Sequence, residues 1–331
     1  MKLKEQRGRV SIIIPVYNRS RQLKEAVMTV LLQTYTNIEI VIVDDGSSDD
    51  TIIITEAISK KWGRTITLLR QENSGPGPAR QLGTENSCGE FIQYLDSDDL
   101  MIPNKVCSQV LAFRKDFLAG ICYGMSYQKD YSYDPPLEFG PIRSTGNKVL
   151  LLFPKLLNER WWTTSSPIYR RSLVEQIGPW MNLINEEDWE FDSRAGATQT
   201  HLTWVSLNVS IRRINLSKDH LSSGGSTNPK KLRDRIISKH RLYRCALATG
   251  IKNNSPEMKK FARECFLLAH QCAITGLAKE SESIFSLAKQ CTGFLRRLGP
   301  DYLIYQILGS ILGWNQTGKL STRLRDMVKL R

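Results

Sequence analysis

The stretch Glu90-Phe-Ile-Gln-Tyr-Leu-Asp-Ser-Asp-Asp99 joins a short apolar run to a cluster of carboxylates. Phe91 to Leu95 has the length and character of a buried strand. It stops abruptly at Asp96, Asp98 and Asp99, with only Ser97 between them. Three carboxylates at the mouth of a strand repel one another, and leaving them unpaired near low dielectric is costly. A hard divalent cation such as Mg²⁺ or Mn²⁺ relieves that repulsion and also bridges phosphates. An Asp-rich surface turn is the other reading, since Asp and Ser are common turn residues.

Upstream, the chain supplies the rest of a sheet. Val10–Val16 is almost wholly apolar and β-branched, as a strand covered on both faces should be. Pro15-Val16-Tyr17-Asn18 turns the chain, and Ser20 opens a helix whose apolar positions are Leu23, Val27, Val30 and Leu31. A second buried strand, Ile38–Val43, ends in Asp44-Asp45-Gly46-Ser47. A helix over about Asp50–Lys60 and a third strand, Ile66–Leu69, follow. Strand and helix in alternation predict a mostly parallel central sheet flanked by helices, an α/β fold with right-handed crossovers. In such sheets ligands bind beyond the carboxyl ends of the strands. That rule puts Pro15, Tyr17, Asp44, Asp45, Asp96 and Asp98 along one rim. Between them runs Asn73-Ser74-Gly75-Pro76-Gly77-Pro78-Ala79-Arg80, a loop entering a helix. The Arg80 guanidinium suits a bidentate contact with phosphate or carboxylate, or a place in solvent.

Downstream, Pro103–Phe113 reads as a helix, Gly120–Tyr127 as a strand and Tyr131–Gly146 as a loop. Trp161-Trp162 beside small hydroxyl residues has two readings, a stacking platform for a ligand or a core pair. Asn185-Glu186-Glu187-Asp188-Trp189-Glu190-Phe191 is the strongest catalytic candidate. Its aromatics would anchor a helical turn while a carboxylate faces a cleft; the alternative is a solvated acidic helix start. A strand over Trp204–Ile211 leads to His220, either a metal or phosphate ligand or a surface loop residue, in a Ser/Gly stretch ending at Asn228-Pro229.

These segments resemble the family 2 glycosyltransferases, inverting enzymes with the nucleotide-binding glycosyltransferase-A fold. The resemblance rests on Ser11-Ile-Ile-Ile-Pro-Val-Tyr-Asn18, Ile42-Val-Asp-Asp-Gly-Ser47, Asn73 to Arg80 with Gly83, and Tyr94-Leu-Asp-Ser-Asp-Asp99. It implies that Pro15, Tyr17 and Asp45 hold the base and ribose of a nucleoside diphosphate sugar. It implies that Asp96 faces the ribose or a metal-bound water, and that Asp98 ligates a Mn²⁺ or Mg²⁺ ion on the diphosphate. Glu187-Asp188 before Trp189 matches the family's acidic pair, with Asp188 as general base and Glu187 as an acceptor contact. Gln81 departs from the pattern, where the family often has Asn. A dinucleotide-dependent oxidoreductase has no support, because no Gly-x-Gly-x-x-Gly follows the first strand. A catalytically silent sugar-nucleotide-binding module is the rival reading.

Charge divides the chain. The net charge is +13, and residues 229–331 carry 20 Lys and Arg against 7 Asp and Glu, which leaves 1–228 balanced. The expected organisation is a catalytic domain over 1–228, with a nucleotide-binding half over 1–100 and an acceptor half over 101–228, then a basic helical region over 229–331. In that region Phe261, Cys265, Leu268, Ala269 and Cys272 suit one helix and Ile284, Leu287 and Ala288 a second, a pair like one tetratricopeptide hairpin. Leu303, Ile304, Ile307, Leu308, Ile311 and Leu312 form one apolar face among basic residues. Peripheral contact with an anionic membrane through 294–331, closure of the protein's own core and a homodimer are all open. Nucleic acid is not expected, for want of interleaved aromatics. The expected acceptor is a saccharide or lipid-linked saccharide. Seven cysteines without close pairs fit neither a disulfide framework nor a zinc site, and no apolar run is long enough to span a membrane. The expected location is the cytoplasm, with the inner membrane face open as a peripheral site.

Overall fold

The computed structural model describes residues 4–62, 66–215, 225–293, 297–318 and 320. The chain forms two compact units. The first comprises Met1–Leu152, Arg160–Leu183 and Thr198–His220; the second comprises Phe153–Glu159, Ile184–Ala197 and Leu221–Arg331.

The first unit opens with β1 (Gln6–Val16), α1 (Ser20–Leu31), β2 (Ile38–Asp44), α2 (Thr51–Trp62), β3 (Ile66–Arg70), α3 (Pro76–Glu85) and β4 (Gly89–Tyr94). It continues through β5 (Leu100–Met101), α4 (Lys105–Lys115), β6 (Ala119–Asp130), β7 (Leu137–Phe139), β8 (Ile168–Arg170), α5 (Arg171–Ile177) and β9 (His201–Ile214). The nine strands make one sheet in the order β3-β2-β1-β4-β8-β6-β9-β5, with β7 on β6. β3, β2, β1 and β4 run parallel, as the alternation predicts, while β8 is antiparallel to both β4 and β6. β1, β2 and β4 are deeply buried, and the β-branched run of β1 is covered on both faces, while the edge strand β3 is partly exposed. Ile12 and Ile14 join a core with Leu23, Ala26, Val27 and Val30 of α1. The region read as a loop over 131–146 holds the short strand β7, which pairs its Leu137–Phe139 with the end of β6.

Register aligns the strand ends. Val16 lies opposite Asp44, Asp44 opposite Arg70, and Ile13 opposite Tyr94. The Asp45 amide donates to the Val16 carbonyl at 2.8 Å and the Leu95 amide to Ile13 at 2.9 Å, so the segments after β1, β2 and β4 leave the sheet side by side. α3 is fixed near this rim by close backbone approach. A Cβ at Gly77 would run into the Met181 carbonyl oxygen, which cannot swing away as a side chain can. Gly77→Ala is therefore expected to cost about 1–3 kcal/mol as overpacking. Calorimetry should show a melting temperature several degrees lower, at about 2–4 °C per kcal/mol.

Trp161 and Trp162 are not an exposed platform. Both are buried, 4.8 Å apart between ring centroids and packed against Tyr123, so they form a core cluster. All seven cysteines are free thiols.

The second unit holds a 3₁₀ turn (Lys155–Leu157), α6 (Glu187–Ala197), α7 (Pro229–Ala248), α8 (Pro256–Ile274), α9 (Ala278–Gln290) and α10 (Pro300–Leu312). This unit is not contiguous in sequence, since the 3₁₀ turn and α6 belong to it. α6 groups with the C-terminal helices because it packs on α7, where Ser193 Oγ donates to Cys245 Sγ and Arg241 approaches Glu190 at 3.7 Å. α8 and α9 form the expected helical pair around Gly276. α10 adds Tyr302 and Tyr305 to an aromatic cluster with Phe266, His270 and Phe285. Those tyrosines, not the aliphatic face, are its buried side. Leu303, Ile304, Ile307, Ile311 and Leu312 are exposed, Ile311 by 74 %. No helix among the described residues is long and apolar enough to cross a membrane.

Candidate active site

The acidic turn after β4 is held by three arginines. Arg80 Nη2 donates to Asp96 Oδ1 at 2.8 Å while its guanidinium lies 4.8 Å from the Trp180 ring centroid. Arg19 Nη1 donates to Asp98 Oδ2 at 2.8 Å. Arg213, buried at the end of β9, donates through Nε to the Asp98 carbonyl and through Nη1 to Glu25. Asp99 points inward, accepting from Ser165 Oγ at 2.6 Å and from the Arg213 amide. Burial pushes the Asp98 carboxyl up, against the pull of Arg19 and with a further push from Asp96. Burial, then Asp98 and Asp96, push Asp99 well up. Asp96 and Asp98 thus belong to one crowded turn at the rim, and Asp99 braces it from beneath.

Asp45 sits on the same rim and is only 4 % exposed. Its Oδ1 accepts from Gln71 Nε2 at 2.7 Å and from the Ser74 amide at 2.8 Å; its Oδ2 accepts from the Gly75 amide at 2.9 Å. The carboxylate thereby ties the loop before α3 to the end of β2. Pro15 is buried in β1 opposite Val43, whereas Tyr17 is 47 % exposed just beyond it. Gly46, Arg70, Gln71, Glu72 and Asn73 line an open groove of about 510 Å³ beyond β2 and β3. Gln81, the departure from the family pattern, accepts from the Trp180 amide at 3.1 Å and so positions the ring under Arg80.

In the second unit, the acidic segment begins α6. Glu186, at φ 59°, is committed to α7, pairing with Arg235 at 3.1 Å and with Lys239 at 3.5 Å. Glu187 is buried and Asp188 half-buried in the first turn. Asp188 Oδ1 accepts from the Trp189 amide at 2.7 Å. Trp189 Nε1 donates to the Leu156 carbonyl at 2.8 Å and Phe191 is fully buried, so the aromatics anchor the turn as expected. His220 lies outside the described residues. Arg19, Ser165 and Trp180 have no periodicity or motif spacing that links them to the acidic turn.

The sequence model of glycosyl transferase family 2 matches residues 11–178. The chain belongs to glycosyltransferase family 2. The match includes Pro15, Tyr17, Asp45, Arg80, Asp96 and Asp98, and it ends before Glu187 and Asp188. An uncharacterized glycosyltransferase of Rickettsia conorii is 49 % identical over 98 residues, which are 30 % of this chain and 16 % of that protein. An uncharacterized glycosyltransferase of Nostoc is 28 % identical over 232 residues, 67 % of this chain and 70 % of the relative. Among solved structures, S. aureus TarS 1-349 in complex with UDP-GlcNAc superposes with a TM-score of 0.67 at 17 % identity, covering 95 % of this chain and 92 % of that one. The mannosyltransferase PcManGT of Pyrobaculum calidifontis, in complex with GDP-Man and Mn²⁺, gives 0.54 at 15 % identity, covering 96 % and 88 %. At these identities the likeness establishes the fold, a glycosyltransferase-A-type α/β sheet flanked by helices with a helical C-terminal region.

The acidic turn suits a hard divalent cation. Asp96 and Asp98, two residues apart in one turn at the rim, offer hard carboxylate oxygens. Among the described residues no three His, Cys, Asp or Glu side chains group as a self-sufficient metal cage. One or two carboxylates completed by substrate phosphates is the usual arrangement for Mg²⁺.

Proposed function

We propose that this family 2 glycosyltransferase transfers a sugar, with inversion, from a nucleoside diphosphate sugar to a hydroxyl acceptor, a glycan or lipid-linked saccharide of the cell surface. The observation that carries the reading is the single rim on which Tyr17, Asp45, Asp96 and Asp98 follow adjacent strand ends. Residues 1–228 act as the catalytic domain, 1–100 binding the donor and 101–228 serving the acceptor. Tyr17 stacks on the base, Pro15 shapes the floor beneath it, and Asp45 holds the loop that closes around the nucleoside. Asp96, fixed by Arg80, receives the ribose. A Mn²⁺ or Mg²⁺ ion on Asp98 and Asp96, with His220 as a further candidate ligand, would neutralise charge on the departing diphosphate. Asp188 takes the acceptor proton as the hydroxyl attacks the anomeric carbon, and Glu187 orients that hydroxyl. Direct displacement places attack opposite the leaving group, so one catalytic carboxylate suffices.

A panel of UDP, GDP and other nucleoside diphosphate sugars, incubated with Mn²⁺ and saccharide acceptors, tests the reading. One donor should raise the melting temperature by mass action and also be turned over. Stabilisation without turnover by any acceptor would favour a silent binding module, and neither effect would remove the donor site.

The exposed aliphatic face of α10 supports a peripheral position at the inner membrane face. It has Arg297 just before it, and the sequence beyond adds Lys319, Arg323, Arg325, Lys329 and Arg331, outside the described residues apart from Arg297. A second copy would bring its own basic sequence against this one, whereas an anionic bilayer attracts it. Flotation with phosphatidylglycerol vesicles should capture the chain, and Ile304→Asp with Ile307→Asp should lower capture by about tenfold or more. Equal capture of the double variant would exclude α10 as the contact.

A further inference from the structure

The two outer carboxylates of the acidic turn, Asp96 and Asp98, are each met by a guanidinium of the chain itself, while Asp99 beneath them is held by the Ser165 hydroxyl and the Arg213 amide. Arg80 on Asp96 and Arg19 on Asp98 set two guanidinium groups against two carboxylates. Arg213, also at the turn, meets Asp98 through the backbone carbonyl and has its own carboxylate partner in Glu25. Arg19 and Asp98 are largely enclosed, their side chains 16 % and 24 % exposed, and the 2.8 Å contact is a charge-assisted hydrogen bond. A divalent cation approaching the free protein therefore meets neutral pairs and must compete with a guanidinium for Asp98.

We infer that Arg19 is the resident counter-ion of Asp98 and makes tight binding of the divalent cation depend on a nucleoside diphosphate. This rests on the reading of Asp98 as a metal ligand. The diphosphate brings negative charge of its own, so it offers Arg19 another anionic partner and the cation additional oxygens. Metal and nucleotide then strengthen each other's binding by the same factor, as linkage requires. In the absence of nucleotide, Arg19 keeps the buried Asp98 carboxylate paired. Arg19 is a positioning residue in this scheme; it acts through Asp98.

Electron paramagnetic resonance of Mn²⁺ with the full chain separates the possibilities, using Mn²⁺ alone and then with UDP or GDP. The wild-type chain should bind Mn²⁺ weakly alone and markedly tighter with one nucleotide. Arg19→Gln should bind Mn²⁺ alone about tenfold tighter or more, since a competing unit charge beside the ligand is removed. Its gain on adding nucleotide should be correspondingly smaller. Arg19→Lys, which retains the charge, should return towards wild-type behaviour. Asp98→Asn should lose Mn²⁺ binding in either condition. Equal affinity of wild type and Arg19→Gln for Mn²⁺ alone, with binding lost in Asp98→Asn, would overturn the inference and leave Asp98 as a ligand. Failure of every protein to take up Mn²⁺, even with nucleotide, would overturn the metal reading and the inference together.

Discussion

Asp188→Asn is expected to lower kcat by about a thousandfold, within the roughly 10²–10⁴ range for a positioned general base. Donor affinity and melting temperature should stay near wild type. The substitution is nearly isosteric, and Asn Oδ1 can accept the 2.7 Å hydrogen bond from the Trp189 amide as Asp188 does now. The turn is secured independently by Trp189 on the Leu156 carbonyl and by buried Phe191. What changes is the ability to accept a proton from the acceptor hydroxyl. Asp188 stands in the first turn of α6, at the positive end of the helix dipole. Glu187→Gln should cost less, because an acceptor contact keeps its hydrogen-bonding capacity. Steady-state turnover beside calorimetric titration with nucleotide separates these effects. Unchanged turnover in Asp188→Asn would remove it from the role, while a parallel loss of donor binding would point to a structural defect.

The parallel half of the sheet was legible because its strands are covered on both faces and read as unbroken apolar runs. Val10–Val16 is buried throughout. Given those strands, the carboxyl-end rule alone places Asp45 and Asp98 on one rim. Paired aromatics carried no comparable signal. An indole in a core and one on a sugar platform share a sequence, and only packing against Tyr123 assigns Trp161 and Trp162 to the core. Arg19 was hidden for a different reason. Its partner lies 79 positions away, and ion pairs across a fold have no period. α10 shows the limit of pattern reading on a helix. Its aliphatic stripe was visible, but Tyr302 and Tyr305 bury the other face because Phe266 and Phe285 offer them aromatic partners. In the acidic segment, sequence spacing did not show that Glu186 is paired with Arg235 and Lys239, while Glu187 lies in the first turn of α6.

Asp45→Asn is expected to weaken nucleotide binding by roughly a hundredfold and to lower the melting temperature at the same time. The carboxylate accepts three hydrogen bonds, from Gln71 Nε2 and the Ser74 amide on one oxygen and from the Gly75 amide on the other. An asparagine has one acceptor oxygen and an NH₂ group. In one orientation its NH₂ faces the Gly75 amide; flipped, it faces the Ser74 amide and the Gln71 side chain. With 4 % exposure, water cannot readily replace the lost acceptor. Each buried donor left without a partner costs about 1–3 kcal/mol, which corresponds to several degrees in Tm for a unit of this size. The loop from Gln71 to Gly75 would then be held to β2 more weakly, and α3, which carries Arg80 to Asp96, begins directly after it. Donor affinity and stability should therefore fall together, in contrast to Asp188→Asn, which should change neither. Titration calorimetry with UDP and GDP, paired with differential scanning calorimetry, reads both quantities on the same samples. A variant that melts like wild type and binds nucleotide as tightly would show that the Asp45 carboxylate does not organise the donor loop.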